Sequence, residues 1–312
     1  MNRIKQGDRK QGDRLLVFQD QGENILIHEI TELFRKELPE VLKGEYSVES
    51  VLSDIDNHFV YHRMNGKEDG RLIGISVINK NTIYLLLVDS EFQRQGIGTS
   101  LLKESEKYIK TAGYNKIILG VGAGYIMPGV PMIENAHVFF ENNGYYHSWG
   151  EEDCFDLKMQ LCDFTCNKIK PGDLIGGYLY RFANENDIEG IIQCCEEDAD
   201  GFISHYRNDE QYTSGTGNPV FVAEYAGEIC AAIMTGVESE KKNIGYLGCL
   251  ITSPDHRNKG LGTTLVKLGT GYLKDSGFET SWLGYTYTSI IGMYEKIGYK
   301  VCMKYFMGEK KI

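Results

Sequence analysis

Two glycine-rich segments hold residues suited to binding an anion. The first segment comprises Gln93, Arg94, Gln95, Gly96, Ile97, Gly98 and Thr99. The second comprises Arg257, Asn258, Lys259, Gly260, Leu261, Gly262 and Thr263. Each follows an apolar run and precedes apolar residues at helical spacing, which predicts a turn from a strand into a helix. Backbone N–H groups at a helix start, with the positive end of the helix dipole behind them, suit a phosphate or pyrophosphate.

A tyrosine behind the second segment has the chemistry of a proton donor. Tyr294 opens the run Tyr-Glu-Lys-Ile-Gly-Tyr that ends at Tyr299, whereas the equivalent residue behind the first segment is Phe140. A phenol has an ordinary pKa of about 10 and can protonate a thiolate, whose thiol has a pKa of about 8.5. The two segments therefore differ in the residue that could act as an acid beside them.

The match between the two halves extends beyond the loops. At the same offset of 164 residues, Leu86 matches Leu250 and Tyr108 matches Tyr272. A repeat of this length is a duplicated domain rather than a solenoid unit, and 312 residues suffice for two ordinary domains. We predict a polar tail over 1–14, an N-terminal domain over 15–162, a linker over 163–177 and a C-terminal domain over 178–312.

Apolar periodicity predicts the same kind of unit in both halves. In the first half we predict helices after the loop and at 136–141, with strands at 58–61, 72–78, 83–88 and 116–119. In the second half we predict helices at 187–198, after the loop and at 289–297, with strands at 178–182, 221–225, 229–235, 244–252, 280–284 and 299–306. Each half is then a mixed sheet with helices packed on it, an α/β fold.

Composition narrows the class of protein. The net charge of −11 argues against a nucleic-acid binder, which needs a basic face, and fits a small cationic or neutral partner. The eight cysteines form neither a disulfide framework nor a zinc-binding C-x-x-C pair, so no metal is expected. No apolar run is long enough for a membrane helix, and the first residues lack the apolar core of a signal peptide, which predicts a cytoplasmic protein.

Missing motif residues exclude two common classes of phosphate-binding loop. A dinucleotide-binding loop needs a third glycine, but Leu101 and Leu265 stand there, and no Walker sequence occurs. The pattern that remains resembles the GNAT superfamily of acyl-CoA-dependent N-acyltransferases, whose pyrophosphate loop reads Arg/Gln-x-x-Gly-x-Gly/Ala after a strand. The run from Tyr294 to Tyr299 is similar to a late helix and strand of that family. Two copies of the family's pattern together cover nearly the whole chain. The resemblance therefore implies two tandem GNAT domains that bind acetyl-CoA.

The resemblance also implies a mechanism, in which a neutral amine attacks the acetyl thioester directly. The strand before the loop is expected to diverge from its neighbour, so that its backbone holds the pantetheine arm and polarises the thioester carbonyl. Tyr294 stands at the position of the family's acid, and Phe140 has no proton to give. We therefore predict an active C-terminal domain and a supporting N-terminal one. The strand positions concerned are Leu250, Ile251 and Thr252, with Leu86, Leu87 and Val88 in the first half.

The general base has several candidates. They are Glu238, Glu240, His256, Tyr285 and Tyr287, and a chain of water molecules is an alternative.

The amine acceptor also remains open at this point. The acidic run from Glu196 to Asp200 is either a solvated helix face or a means of attracting an aminium group, and Tyr285 and Tyr287 could add hydrogen bonds for a polyhydroxylated acceptor. Tandem members of the family include glucosamine or glucosaminide acetyltransferases and mycothiol synthases. We favour an amino sugar as the acceptor, with aminoglycosides, other small amines and protein lysines as alternatives. An alternative hypothesis from another functional class is that the protein is a non-catalytic acyl-CoA sensor or interaction module.

Overall fold

The protein forms two compact units. One comprises Met1–Cys154 together with Lys304–Ile312, and the other comprises Phe155–Met303. The predicted tail over 1–14 lies outside the residues that the structure describes. This computed structural model describes residues 15–18, 24–38, 48–54, 56–66, 70–120, 127–150, 152–165, 169–196, 199–207, 219–237 and 243–312.

The first unit is a mixed sheet with helices packed on it. Its strands are β1 (Leu15–Phe18), β2 (His58–Arg63), β3 (Leu72–Asn79), β4 (Thr82–Val88), β5 (Lys116–Leu119), β6 (Val130–Pro131), β7 (Tyr146–His147) and, from the end of the chain, β16 (Gly308–Lys311). The sheet has the order β1-β2-β3-β4-β5-β16-β7, in which β4 and β5 are parallel. The short β6 pairs with Tyr305 and Phe306. The helices are α1 (Asn24–Glu37), α2 (Val48–Leu52), α3 (Ile97–Thr111) and α4 (Ala136–Glu141).

The second unit repeats this plan. Its strands are β8 (Cys154–Gln160), β9 (Asp173–Ile175), β10 (Tyr178–Phe182), β11 (Val220–Tyr225), β12 (Glu228–Val237), β13 (Ile244–Thr252), β14 (Thr280–Tyr287) and β15 (Lys300–Phe306), of which Cys154 and residues 304–306 count with the first unit. They run in the order β15-β8-β14-β13-β12-β11-β10-β9, with β13 and β14 parallel. The helices are α5 (Ile188–Cys195), α6 (Ile203–Tyr206), α7 (Leu261–Asp275) and α8 (Thr288–Ile297).

Each sheet is completed by a strand that is remote in sequence. In the first unit β16 lies between β5 and β7, with Glu309 opposite both Ile118 and Tyr146. In the second unit β8 lies between β14 and β15. The compact units therefore depart from the predicted ranges, because β8 falls within 15–162 and β16 within 178–312. Local periodicity reports that a segment is a strand, but it does not report which sheet that strand joins.

The predicted linker also contains structure of its own. β9 pairs with β10 as a hairpin, and Gly176 and Gly177 form its turn with φ of +60° and +88°. Two successive positive-φ residues give the turn that matches strand twist, so these glycines act as a hairpin turn and not as a break between domains. Phe164 is buried in the core of the second unit, and its carbonyl accepts a hydrogen bond from Lys274 Nζ at 2.7 Å. Residues 166–168 of this segment lie outside the described residues.

The helices that follow the two loops begin where the sequence predicts. α3 and α7 each contain 15 residues and start directly after Gly96 and Gly260. Their apolar sides are buried on the sheets, as at Leu101 and Leu265, which are fully buried. The helix predicted at 187–198 is shorter, ending at Cys195, and residues 197 and 198 are outside the described part of the chain. None of the described helices is long and apolar enough to cross a membrane.

Candidate functional site

The two glycine loops have nearly the same backbone geometry. Gly96 and Gly260 adopt φ of +86° and +84°, and the residues two positions earlier, Arg94 and Asn258, adopt φ of +60° and +61°. No side chain of the described residues caps either helix. The first-turn N–H groups of both helices are thus left for an outside acceptor, and a Cβ built on either glycine would meet nothing within 4 Å. Both loops have the open donor set that a phosphate requires.

The first residue of each loop signature contacts the strand before it. Arg257 Nε donates to Thr252 O at 3.2 Å, and Gln93 Nε2 donates to Val88 O at 3.1 Å. These bonds tie the loop to the end of its strand. They explain why arginine and glutamine are interchangeable at this position, since either side chain can donate to a carbonyl five residues earlier.

In the second unit the strand before the loop diverges from its parallel neighbour. β13 and β14 pair from Ile244 opposite Thr280 to Leu247 opposite Leu283, and both strands then continue without pairing to each other. Two residues beyond the last pair, each strand carries a positive-φ residue, Cys249 (φ +50°) and Tyr285 (φ +55°). A Cβ built on Gly248, the first residue of β13 beyond the last pair, would meet nothing within 4 Å, so one face of the sheet is open at this residue.

Each of these positive-φ residues, which we call kinks, is held by a buried polar side chain that was not among the residues predicted from the sequence. The hydroxyl of Tyr206, a fully buried residue of α6, donates to the carbonyl of Cys249. On the other strand, the carboxylate of fully buried Asp156 accepts the N–H of Tyr285 at 3.0 Å. Strain of this kind persists only where surrounding groups fix it. Nothing in the sequence indicated Asp156, because it shares the alternating positions of polar Lys158 and Gln160 in β8, a pattern that predicts an exposed side chain.

In the corresponding region of the first unit, described residues pack closely together. β4 and β5 pair at Thr82 and Ile83, and β5 then ends at Leu119. A Cβ on the next residue, Gly120, would lie 2.6 Å from Gly129, so the segment around β6 packs directly there. A cavity lined by Leu86 and Phe140 measures about 50 Å³, which suffices for a few water molecules and is smaller than a pantetheine arm.

Tyr294 lies in α8, which packs beside the second loop. A Cβ on Gly262 would lie 3.4 Å from Leu250 and 3.6 Å from Met293, so the loop, β13 and α8 meet at this glycine. Tyr294 itself is 3% exposed and faces Tyr299 edge to face at 6.2 Å. Burial, assisted by Tyr299, raises the pKa of Tyr294 above its usual value of 10, so the phenol is protonated at neutral pH.

The first unit holds an equivalent aromatic pair in which phenylalanine takes the place of Tyr294. Phe140 is also buried and faces Tyr145 edge to face at 5.6 Å, just as Tyr294 faces Tyr299. Phe139 lies 3.6 Å from a Cβ on Gly98, in the place that Met293 takes beside Gly262. The structure therefore aligns Phe140 with Tyr294.

The other predicted strand residues lie at the end of the divergent strand. Ile251 and Thr252 pair with Ala232 and Ala231 of β12, so the backbone edge on the other side faces β14. The side chain of Ile251 is buried, and Leu250 packs partly against the core. In the first half, Leu87 is buried and the Cγ2 of Val88 lies 3.6 Å from a Cβ on Gly98.

The candidate general bases that the structure describes lie in different parts of the second unit. His256 lies beside the loop, where its Nδ1 and the Tyr178 hydroxyl share a hydrogen bond of 2.9 Å. Tyr285 and Tyr287 lie on the divergent part of β14, with ring centroids 6.1 Å apart. Glu238 and Glu240 lie outside the described residues.

The acidic run is described only at its two ends. Glu196 and Asp200 are exposed, while Glu197 and Asp198 are not among the described residues. Within the described part of the chain, no cluster of three His, Cys, Asp or Glu side chains is arranged to hold a metal ion.

Several solved structures share this fold across nearly the whole chain. A GCN5-related glucosamine N-acetyltransferase region of a fungal multi-domain GH3 beta-N-acetylglucosaminidase matches 97% of the chain with a TM-score of 0.75 and 16% identity, and this chain spans 39% of that protein's length. A tandem GNAT protein from the clavulanic acid biosynthesis pathway matches 96% of this chain and 98% of its own, with a TM-score of 0.69 and 13% identity. A GCN5-related N-acetyltransferase from Sphaerobacter thermophilus matches 91% of each chain, with a TM-score of 0.67 and 16% identity.

Sequence comparison identifies the family directly. Comparison with curated proteins finds no match. The family model of the Acetyltransferase (GNAT) family, however, matches residues 27–125 and again residues 178–299, each range including one glycine loop. These two matches coincide with the repeated α/β plan and with the tandem GNAT neighbour. The chain belongs to the GNAT acetyltransferase family, as an acetyl-transferring enzyme with two tandem GNAT domains.

Proposed function

We propose that the second unit transfers an acetyl group from acetyl-CoA to the primary amine of a small molecule, and that an amino sugar of the glucosamine or glucosaminide type is the acceptor. The observation that carries this proposal is the difference between the units. In the second unit the parallel strands β13 and β14 continue for several residues beyond their last pair, Leu247 with Leu283, beside a buried tyrosine. The first unit has a cavity of about 50 Å³ beside Phe140. We therefore assign catalysis to the C-terminal domain and a supporting role to the N-terminal one.

The second loop is proposed to hold the pyrophosphate of acetyl-CoA, which members of this family generally use. The N–H groups of Leu261, Gly262 and Thr263 have no capping side chain among the described residues, and the left-handed Gly260 leaves the approach open. Lys259 can add a charge-assisted contact. An anion at this end of α7 also interacts favourably with the helix dipole.

The divergent strand is proposed to hold the acyl end. When bound, acetyl-CoA supplies an activated thioester carbonyl, and the backbone of Leu250, Ile251 and Thr252, which does not pair with β14 among the described residues, would bind and polarise it. The register of β13 with β12 shifts at Cys249, where φ is +50°, and the Tyr206 hydroxyl fixes this bulge by donating to the Cys249 carbonyl. Donors that are already fixed stabilise developing negative charge without reorganising during the reaction.

Tyr294 is proposed to donate its proton, or a strong hydrogen bond, to the departing sulfur. Burial keeps the phenol protonated, as an acid must be before the reaction begins. The same burial makes full proton transfer less favourable, so hydrogen-bond donation from Tyr294 to the sulfur is the larger part of its role.

The choice of an amino sugar has two supports. The glucosamine N-acetyltransferase region shares this fold over 97% of the chain. The net charge of −11, with exposed Glu196 and Asp200 near α5, favours the approach of an aminium ion.

The experiment is an acetyl-CoA-coupled screen of amino sugars, aminoglycosides, amino acids and polyamines, followed by Tyr294→Phe. We expect an amino sugar to give the highest kcat/KM, and Tyr294→Phe to lower kcat by about 10²- to 10⁴-fold while CoA affinity persists. Tyr145→Phe is the matched control, because Tyr145 is also 3% exposed but lies in the first unit. If no amine in the panel is acetylated, the enzymatic proposal is wrong and the acyl-CoA sensor is favoured. If Tyr294→Phe retains full kcat, the assignment of the acid is wrong.

A further inference from the structure

A second cavity lies beside the glycine loop of the second unit, outside the proposed reaction site. Its volume is about 410 Å³, within the range of small-molecule sites. We call it the tyrosine cavity and define it by Tyr178, Tyr180, Tyr225, His256, Lys259 and Thr264. Three of these residues come from the loop region or the first turn of α7, so a ligand held by the loop is next to this cavity.

The tyrosine cavity lies on the flank of α7 that is opposite to Tyr294. Gly262 faces Leu250 and Met293, whereas Thr264 lines the cavity. Residues two positions apart on a helix point about 200° apart, because each residue turns the helix by about 100°. A molecule in the cavity is therefore separated by the helix from the acid and from the divergent strands. The cavity does not suit the amine acceptor, but it suits the distal end of a long ligand that crosses the helix start.

The walls of the tyrosine cavity suit a flat aromatic group. The rings of Tyr178 and Tyr225 are 5.2 Å apart, and His256 lies edge-on to Tyr178 at 5.7 Å. The hydrogen bond between Tyr178 and His256 fixes both rings. Tyr225 is 48% exposed and lies at the rim, where its ring is available for stacking. Lys259 adds a positive charge, so the matching ligand is a planar heterocycle that carries an anionic group.

We propose that the tyrosine cavity binds the purine nucleoside end of acetyl-CoA, with the base against Tyr178 and Tyr225 and the 3′-phosphate near Lys259. This inference rests on the proposed binding of acetyl-CoA at the second loop. The loop and the cavity then bind adjoining parts of one molecule, the pyrophosphate and the adenosine 3′-phosphate. The same chemistry is present in free 3′,5′-ADP, which is the other possible source of such a ligand.

The first unit carries different residues at two of the corresponding positions. At the offset of 164 residues, His256 corresponds to Phe92 and Lys259 to Gln95. The guanidinium of Arg71 lies over the Phe92 ring at 5.3 Å and pairs with Glu91 at 2.7 Å. A cation and a carboxylate thus occupy that flank of the first loop. The proposal therefore predicts that the two loops differ in nucleotide recognition even though their backbones match.

The test compares the dissociation constants of CoA, dephospho-CoA, 4′-phosphopantetheine and 3′,5′-ADP, measured by calorimetry on the full chain. Tyr225→Ala should weaken CoA and dephospho-CoA by about 5- to 100-fold, because it removes one stacked ring, and should leave 4′-phosphopantetheine within about twofold. Lys259→Met should reduce the preference for CoA over dephospho-CoA by about tenfold. Tyr114→Ala and Gln95→Met, both in the first unit, are the matched controls and should change neither ratio.

The ligand series separates this inference from the proposed function. If Tyr225→Ala weakens CoA and 4′-phosphopantetheine equally, or weakens neither, the cavity does not bind the base and the inference is overturned. If 3′,5′-ADP alone shows the dependence on Tyr225, the cavity binds a free nucleotide and its assignment to acetyl-CoA is overturned. Loss of acetyl transfer on every amine, with the CoA pattern intact, would reject the proposed function and leave the inference standing.

Discussion

Substituting glutamate for the equivalent glycine of each loop tests which unit binds acetyl-CoA. Gly96 and Gly260 have φ of +86° and +84°, and in both cases a Cβ would meet nothing within 4 Å. A non-glycine residue in this left-handed conformation costs about 1–2 kcal/mol, and this cost is the same at both sites. Gly96→Glu and Gly260→Glu therefore destabilise their units by similar amounts. A difference in CoA affinity between the two variants then shows which loop binds the cofactor.

The effect on binding follows from charge. The new carboxylate projects from the helix start, next to the N–H groups proposed to hold the pyrophosphate. At a separation of about 5 Å and an effective dielectric constant of about 20, two like unit charges repel by about 3 kcal/mol, which corresponds to an affinity loss of about 100- to 300-fold. The carboxylate can also accept hydrogen bonds from the same N–H groups, which adds to the loss.

The assay is CoA titration by calorimetry, together with initial rates of thiol release. We expect Gly260→Glu to lose at least about 100-fold in CoA affinity and nearly all acetyl transfer. We expect Gly96→Glu to stay within a few-fold of wild type in both measurements. Thermal unfolding of the two variants should shift by similar amounts, which serves as the control. The reverse pattern, or an equal loss from both substitutions, would refute the assignment of acetyl-CoA to the second unit.

Two further predictions concern buried polar groups. Tyr206→Phe should lower the stability of the second unit by about 1–3 kcal/mol and also lower kcat/KM, because the carbonyl of Cys249 loses its hydrogen-bond donor. If the variant is destabilised but its activity is unchanged, Tyr206 only stabilises the fold. His58 is buried, neither of its ring nitrogens has a hydrogen-bond partner among the described residues, and burial lowers its pKa from 6.5 to about 4. Because the unfolded chain binds this proton first, stability should fall as the pH drops from 6.5 towards 4, by about 2 kcal/mol between pH 7 and pH 5. His58→Phe keeps a ring stacked on Tyr108 and should remove this loss in urea unfolding; an equal loss in the variant would contradict the assignment.

The loops and the order of elements could be predicted from the sequence because their causes are local. Gly96 and Gly260 adopt the left-handed conformation that a non-glycine residue would strain, and apolar residues at helical spacing place α3 and α7 directly after them. The sequence also separated Tyr294 from Phe140, and the structure aligns the two through their edge-to-face partners Tyr299 and Tyr145.

The shape of the site depends on contacts between residues that are far apart in the chain. Asp156 holds the kink at Tyr285, 129 residues later, and Tyr206 holds the bulge at Cys249, 43 residues later. The packing of Gly120 against Gly129 in the first unit and the walls of the tyrosine cavity likewise depend on how strands and loops pack after folding. By itself, the sequence predicted two glycine loops suited to phosphate and one tyrosine with the chemistry of a proton donor. Only the tertiary structure decided which side chains and strands lie beside each loop, because periodicity and turn residues describe a segment's own backbone and not the partner it packs against.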